Sequence, residues 1–344
     1  MGVEIENRKS CKSDSIGKGS EKLNVYVDPR IELLSIIQYL ADFDGRDIVI
    51  YNKDTTYKTD VDKYFSPYKN HPVISLYEEM AEDGFVYHVP PKLILYLNDE
   101  YEEQDNKAIH YSEIMLGIDV KKKIKEFISQ MVNFKDETRF DKFYESHQEY
   151  YHNIIINIQN GLRSNNCLEN LIEYYGIKQN SYNIIIVPLY FGGYGIRILE
   201  KNEKIDIFCI IPPIENLQYL TSFVWHEFSH SYVNPLSEKN SDEINKYKDL
   251  FIPISNIMEE QAYGDWETCV NEHIVRAVTS RLSYKVFGEK FAKEEIKRDK
   301  EEGCFLYIDK LYEKLIEYEN NRDKYITFEE FYPELLKVFG ELLK

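Results

Sequence analysis

The stretch Ser222-Phe223-Val224-Trp225-His226-Glu227-Phe228-Ser229-His230-Ser231-Tyr232-Val233-Asn234-Pro235 decides how this chain is read. It holds an HExxH motif running from His226 to His230. On an α-helix, residues four apart lie one above the other on the same face. His226 and His230 can therefore turn two imidazole nitrogens towards one metal ion, with Glu227 beside them where a carboxylate reaches a metal-bound water. The plainer alternative is an exposed helical turn with two solvated histidines. The flanks argue against it. Leu217, Leu220, Val224 and Phe228 follow helical spacing as a core stripe, and Phe223 and Trp225 add apolar surface on other sides. Such a helix is expected to be buried. Two histidines and a glutamate buried together need a partner, and a metal ion supplies one.

Two histidines leave a catalytic zinc one protein ligand short. No third histidine follows at the short HExxHxxGxxH spacing, so the ligand is expected from a later helix. Asp242, Glu243, Glu259, Glu260, Glu267, Glu272 and His273 are the candidates. Glu272 sits mid-helix among Val270, Ile274, Val275 and Ala277, where a carboxylate is costly unless paired or coordinated. Arg276, four residues on, can hold it from behind. The ordinary alternative is an exposed Glu272–Arg276 ion pair. Glu267 lies near the helix start, where acidic residues commonly complement the dipole. His273 points roughly 100° away from Glu272. Glu272 is the expected third ligand.

Composition sets the frame around this motif. The chain has 344 residues, 43% hydrophobic and 30% charged, which is globular and long enough for one large domain or two ordinary ones. No apolar run is long enough to span a membrane. The net charge of −18 disfavours nucleic acid and anionic membranes as partners. Five cysteines, at 11, 167, 209, 269 and 304, form no CxxC pair and read neither as a disulfide framework nor as a thiolate zinc site. The first residues hold no apolar segment of signal-peptide type, so the expected compartment is the cytoplasm; export would require a signal already trimmed.

The expected class is α+β, predominantly helical. Residues 1–20 read as a flexible tail and 21–175 as a mostly helical N-terminal part. Its first elements are a strand at 23–27 and a helix that starts at Pro29, capped by Asp28. Helices are expected at 119–132, 138–160 and 166–175. His147 and His152 stand roughly 140° apart on the second of these and are assigned structural roles. Residues 176–344 read as the catalytic part. It opens with a buried strand at 182–189 and strands at 195–200 and 205–211 around the turn Lys201–Lys204. The motif helix follows at about 214–234, stopped by Asn234-Pro235. A polar loop with a short helix fills 237–262, and the third-ligand helix spans about 265–288. Two further helices, at about 290–319 and 328–343, complete the chain, with Thr327 and Glu330 as a capping box.

Several segments also carry a resemblance: VDPRIELLSIIQYL at 27–40, FYESHQEYYHNI at 143–154, HEFSHSYVNP at 226–235 and YGDWETCVNEHIVRA at 263–277. Together they resemble a bacterial family described as a domain of unknown function within the gluzincin clan of zinc peptidases, which place HExxH on one helix and a glutamate on the next. The resemblance covers nearly the whole chain. It implies a zincin-like fold, a small twisted sheet packed on the motif helix, one zinc per chain held by His226, His230 and Glu272, and Glu227 as the catalytic base. Many members of that family are exported, and this chain departs from them in lacking a signal. The resemblance also casts the Gly192–Ile198 segment as an edge strand that holds peptide.

The expected function is therefore hydrolysis of peptide bonds in a peptide or protein substrate, through a zinc-bound water that Glu227 activates. The tetrahedral oxyanion needs a further donor, for which Tyr263, Tyr232 and Tyr194 are candidates. Two other readings stand beside it: a zinc hydrolase of a non-peptide amide, and a zincin-like binding protein without turnover.

Overall fold

Residues 182–186 are tyrosine, asparagine and three isoleucines, and every one of them is covered. A strand buried on both faces reads as a continuous apolar run rather than an alternation, and this one is central to a mixed sheet. In the computed structural model, which describes residues 11–12, 22–41, 54–107, 109, 114 and 119–343, the strands are β1 (Cys11–Lys12), β2 (Leu23–Val27), β3 (Ser181–Ile186), β4 (Tyr194–Leu199) and β5 (Ile205–Ile211). Their order is β1-β2-β3-β5-β4. The three central strands run parallel, with Val25 opposite Ile184 and Ile184 opposite Cys209. β4 returns antiparallel on β5 as an edge, around the turn at Lys201–Lys204 in which Glu203 takes a φ of 65°. The expected strand and hairpin are thus present, although β3 ends at Ile186, three residues before the expected limit.

The rest of the chain is helical: α1 (Pro29–Ala41), α2 (Thr56–Phe65), α3 (Pro72–Glu82), α4 (Val89–Leu95), α5 (Val120–Thr138), α6 (Phe140–Ser146), α7 (Gln148–Ser164), α8 (Cys167–Tyr175), α9 (Leu217–Lys239), α10 (Ser241–Asn245), α11 (Ser255–Glu260), α12 (Trp266–Phe287), α13 (Glu289–Glu301), α14 (Ile308–Asn320) and α15 (Phe328–Leu342). The class is α+β and predominantly helical, as expected. The chain forms two compact units. One holds the described residues up to Asn160 together with Gln179–Glu215; the other holds Gly161–Lys178 and the residues from Asn216 onwards. The sheet belongs to the first unit, and α9 and α12 to the second. Among the described residues, no helix is long and apolar enough to cross a membrane. The expected tail at 1–20 lies outside the described residues, apart from the Cys11–Lys12 pairing with β2.

In the first unit, the Asp28 side chain accepts from the Arg30 N–H at 2.9 Å and so caps α1, with Pro29 at its first position. α1 is buried nearly all round, including Glu32, Ser35 and Gln38. His71 accepts from the Val73 N–H at 3.2 Å and caps α3. The single helix expected at 138–160 is broken at His147, which is tied to the Phe143 carbonyl at 2.8 Å and to Asp60 at 3.3 Å, while His152 is exposed. His147 is structural in its contacts.

In the second unit, α9 packs on α12, and α12 in turn on α13 and α14. Asn216 caps α9 through the N–H groups of Gln218 and Tyr219. Three expectations are corrected here. α9 does not stop at Asn234-Pro235 but runs on to Lys239 with Pro235 inside it. A proline costs one backbone hydrogen bond, and the turn beyond it is anchored by the Ser237 hydroxyl, which bonds both Asn271 and Tyr332. Leu217 is not part of the core stripe and is exposed, whereas Leu220, Val224 and Phe228 are buried. The single helix expected at 290–319 is two, α13 and α14, separated by a turn in which Cys304 takes a φ of 57° and the Phe305 N–H returns to the Asp299 carbonyl at 3.1 Å. The capping box at Thr327 and Glu330 is formed, with each side chain bonded to the other's backbone.

Candidate metal centre

The sequence places apolar residues round most of α9 and most of α12, so both helices are core helices and their polar residues are held in the interior. His226 and His230 lie one turn apart on α9, and Glu272 projects from the middle of α12. The His226 and His230 Nε2 atoms are 3.2 Å apart. Glu272 Oε1 stands 3.2 Å from His230 Nε2, and its Oε2 stands 3.7 Å from His226 Nε2. Among the described residues these three form the cluster able to hold a metal ion, with all donor atoms within 4.8 Å of one another. The donor set fits zinc. Ligands at ~2.0–2.1 Å on a tetrahedron stand roughly 3.3–3.4 Å apart, and the separations here, 3.2, 3.2 and 3.7 Å, bracket that value.

The groups behind the cluster fix its geometry. His230 Nδ1 lies 3.3 Å from Asn234 Oδ1, an arrangement that keeps the Nε2 lone pair aimed at the centre. Arg276 Nε is 3.3 Å from Glu272 Oε2. Arg276 Nη1 donates to Asp299 Oδ1 at 2.9 Å, and its guanidinium lies 4.1 Å over the Phe305 ring. The alternative of an exposed Glu272–Arg276 pair is not met, because Glu272 is buried. Burial pushes Glu272 towards its neutral form, but His230, His226 and Arg276 outweigh that and hold it well below the usual carboxylate range. Burial lowers His226 far below the usual imidazole value, with Glu272 opposing. Burial also lowers His230, but Glu272 and Asn234 reverse the shift and raise it to about 9.

Glu227 is buried, and its charge reaches His230, Tyr219 and Tyr263. Of the three tyrosines considered from sequence, Tyr263 alone is placed with the cluster: it interacts with Arg276, Glu272 and Glu227. Ala262 before it takes a φ of 66°, a left-handed conformation that an alanine adopts at a cost, and the Tyr263 N–H is held by the Met258 carbonyl at 2.8 Å. Tyr232 instead stacks on Tyr175 at 4.1 Å, and Tyr194 belongs to β4 in the first unit. The other candidate ligands lie elsewhere. Glu243 is bound by Lys246 and Tyr247, Asp242, Glu259 and Glu260 are exposed, and Glu267 is near Asp265 and Glu238. His273 is fully buried, bonded through Nδ1 to the Cys269 carbonyl at 2.8 Å and stacked on Tyr307. Sequence reasoning missed Asp299, Arg298 and Tyr219, which all bear on the cluster.

A family profile described as Domain of unknown function (DUF4932) matches residues 23–338. The chain belongs to the DUF4932 family. No curated protein and no solved structure matches it. In this DUF4932 chain the matched region contains the whole cluster, from the motif helix to Asp299.

Proposed function

We propose that the chain is a zinc-dependent metallopeptidase with a zincin-like fold of the gluzincin type, in which His226, His230 and Glu272 hold one zinc ion and Glu227 is the general base. The observation that carries this reading is the convergence of His226 Nε2, His230 Nε2 and the Glu272 carboxylate on one point, at 3.2–3.7 Å from one another. Three protein ligands leave a coordination position for water or substrate, the pattern of catalytic rather than structural zinc. Zinc, when bound, supplies Lewis acidity towards the scissile carbonyl and acidifies water in its shell.

The chain's own residues supply the remainder. Glu227 follows His226 directly in the sequence and lies beside the cluster without being one of its three ligands. It accepts the proton of the attacking water and returns it to the leaving nitrogen. Tyr263, placed against Arg276 and near Glu227, is the donor that meets the oxyanion as the carbonyl becomes tetrahedral. Arg276 and Asp299 keep Glu272 ionised and oriented. The deciding experiment is metal analysis of the purified protein together with a peptide-library digest with and without chelator. One zinc per chain and chelator-sensitive cleavage support the reading; a chain that binds no zinc, or that cleaves undiminished after its removal, refutes it.

A further inference from the structure

Helix α13 meets the motif helix through a buried hydrogen bond. The Ser222 hydroxyl donates to the Glu295 carboxylate, which ties the two helices one turn before His226. One helical turn beyond Glu295 on α13 stand Arg298 and Asp299. Asp299 faces inwards to Arg276 at 2.9 Å. Arg298, its neighbour, does not. Its side chain is 46% exposed, and its nearest carboxylate is Asp299 Oδ1 at 3.8 Å, the same oxygen that Arg276 already holds. Among the described residues, Arg298 makes no side-chain hydrogen bond shorter than that contact, which leaves donors of its planar fork available. Its positive charge is felt at His226 and at Tyr219. Tyr219 is itself 43% exposed, lies two turns before His226 on α9 and packs on Phe223 at 5.7 Å. A half-exposed guanidinium whose charge reaches His226, in a chain carrying a net charge of −18, is not explained by the fold.

We propose that Arg298 binds a carboxylate of the substrate and makes the site selective for peptides with a negative charge near the scissile bond. This rests on the metallopeptidase reading for its setting. An arginine fork matches a carboxylate with two parallel hydrogen bonds, a charge-assisted pair that specifies geometry as well as sign. The carboxylate has two chemical sources, an acidic side chain within the peptide or the free carboxylate at its C-terminus.

The test uses the full-length, zinc-supplemented protein in the Glu227→Gln form for binding and the unaltered form for cleavage. Fluorescence anisotropy is read with four labelled peptides of one backbone: acidic or neutral at the varied position, each with a free or an amidated C-terminus. Tighter binding of the acidic peptides in both C-terminal forms identifies the side chain; loss on amidation identifies the C-terminus. Arg298→Ala should erase that preference by about 10–100-fold, the size of a charge-assisted hydrogen-bonded pair. Arg298→Lys should keep part of it, and Arg298→Glu should reverse it, so that the neutral peptides bind more tightly than the acidic ones. Unchanged preference in Arg298→Ala, or no preference for either carboxylate in the unaltered chain, overturns the proposal. The two claims fail separately. Carboxylate-selective binding without cleavage by the unaltered form would retain Arg298 and remove the peptidase reading; cleavage without charge preference would do the opposite.

Discussion

Arg276 and Glu272 stand one helical turn apart on α12 with Nε and Oε2 separated by 3.3 Å, and this pair joins the candidate ligand set to the rest of the protein. On the far side Arg276 is held by Asp299 at 2.9 Å and by the face of Phe305 at 4.1 Å. Glu272 is thereby fixed from behind while its oxygens face the two histidines.

Removing this support should loosen the metal without removing a ligand. Outer-shell partners typically contribute 10–100-fold to metal affinity. The guanidinium also withdraws negative charge from the carboxylate, which offsets part of that gain, so Arg276→Met is expected near the lower end, about 10-fold weaker. Asp299→Asn, which keeps the shape and removes the charge, should have a smaller effect in the same direction. Competition against a fluorescent chelator measures both. Affinity equal to the unaltered chain in Arg276→Met would show that Glu272 needs no such support.

Much of this was legible in the sequence, because it rests on local rules. Helical spacing put His226 and His230 on one face, and the apolar neighbours of Glu272 marked it as a buried carboxylate. Asp28, Thr327 and Glu330 announced helix starts through capping chemistry that needs only three or four residues. What escaped was decided by packing between distant segments. The run Glu294–Glu302 is charged at every position but Ile296, and only its packing with α9 and α12 turns Glu295 and Asp299 inwards while Arg298 remains half exposed. The parallel pairing of β2 with β3 joins Asn24 to Asn183 across 159 residues, which no local pattern reveals. Pro235 misled for the opposite reason: a local rule was overridden by the buried bonds of Ser237.

Glu32, in the middle of α1, gives a pH-dependent test in the first unit. It is fully buried, accepts from the Tyr57 hydroxyl, and burial raises its pKa to about 8 despite that bond. A carboxyl whose folded pKa is raised contributes stability that is complete below its unfolded value, near pH 4.5, and is lost as pH rises through about 8. Glu32→Gln keeps an acceptor for Tyr57 and carries no proton to lose. The unaltered chain should therefore fall in Tm relative to Glu32→Gln between about pH 5 and 8, with a difference on the order of several kcal/mol at the alkaline end. Parallel pH profiles for the two proteins would remove the assignment of Glu32 as a neutral buried acid.

Gly176 ends α8 with a φ of 68°, and its N–H closes on the Ile172 carbonyl at 2.9 Å. A Cβ there would meet the Ile326 carbonyl oxygen and the Thr327 Cα, so both conformation and space require glycine. Gly176→Ala should cost at least ~1–2 kcal/mol for the left-handed conformation alone. Gly192, where a Cβ meets nothing within 4 Å, is the matched control and should tolerate alanine with stability nearly unchanged. Urea denaturation of the two variants compares them directly; equal midpoints would contradict the assignment.

The sharpest division is between Glu227 and Glu272, both buried carboxylates of one site with different work. Glu272 approaches both histidine Nε2 atoms and is proposed as a ligand. Glu227 stands outside that triad and is proposed as the base. Glu227→Gln has nearly the same shape but cannot take a proton, so zinc content and fold should be retained while turnover falls by about 10²–10⁴-fold, the contribution typical of a general base. Glu272→Ala removes a metal ligand and leaves Arg276 covered with only Asp299 to balance it, so zinc affinity and stability should both fall. Metal analysis, thermal denaturation and peptide cleavage on the same preparations separate the outcomes: metal-replete and inactive for the first, metal-poor and inactive for the second. If Glu272→Ala keeps zinc at unaltered affinity while Glu267→Ala loses it, the ligand lies nearer the start of α12 and the assignment of Glu272 fails, although the motif helix keeps its role. If Glu227→Gln keeps full turnover, water activation belongs to another group and the proposed mechanism fails at its central step.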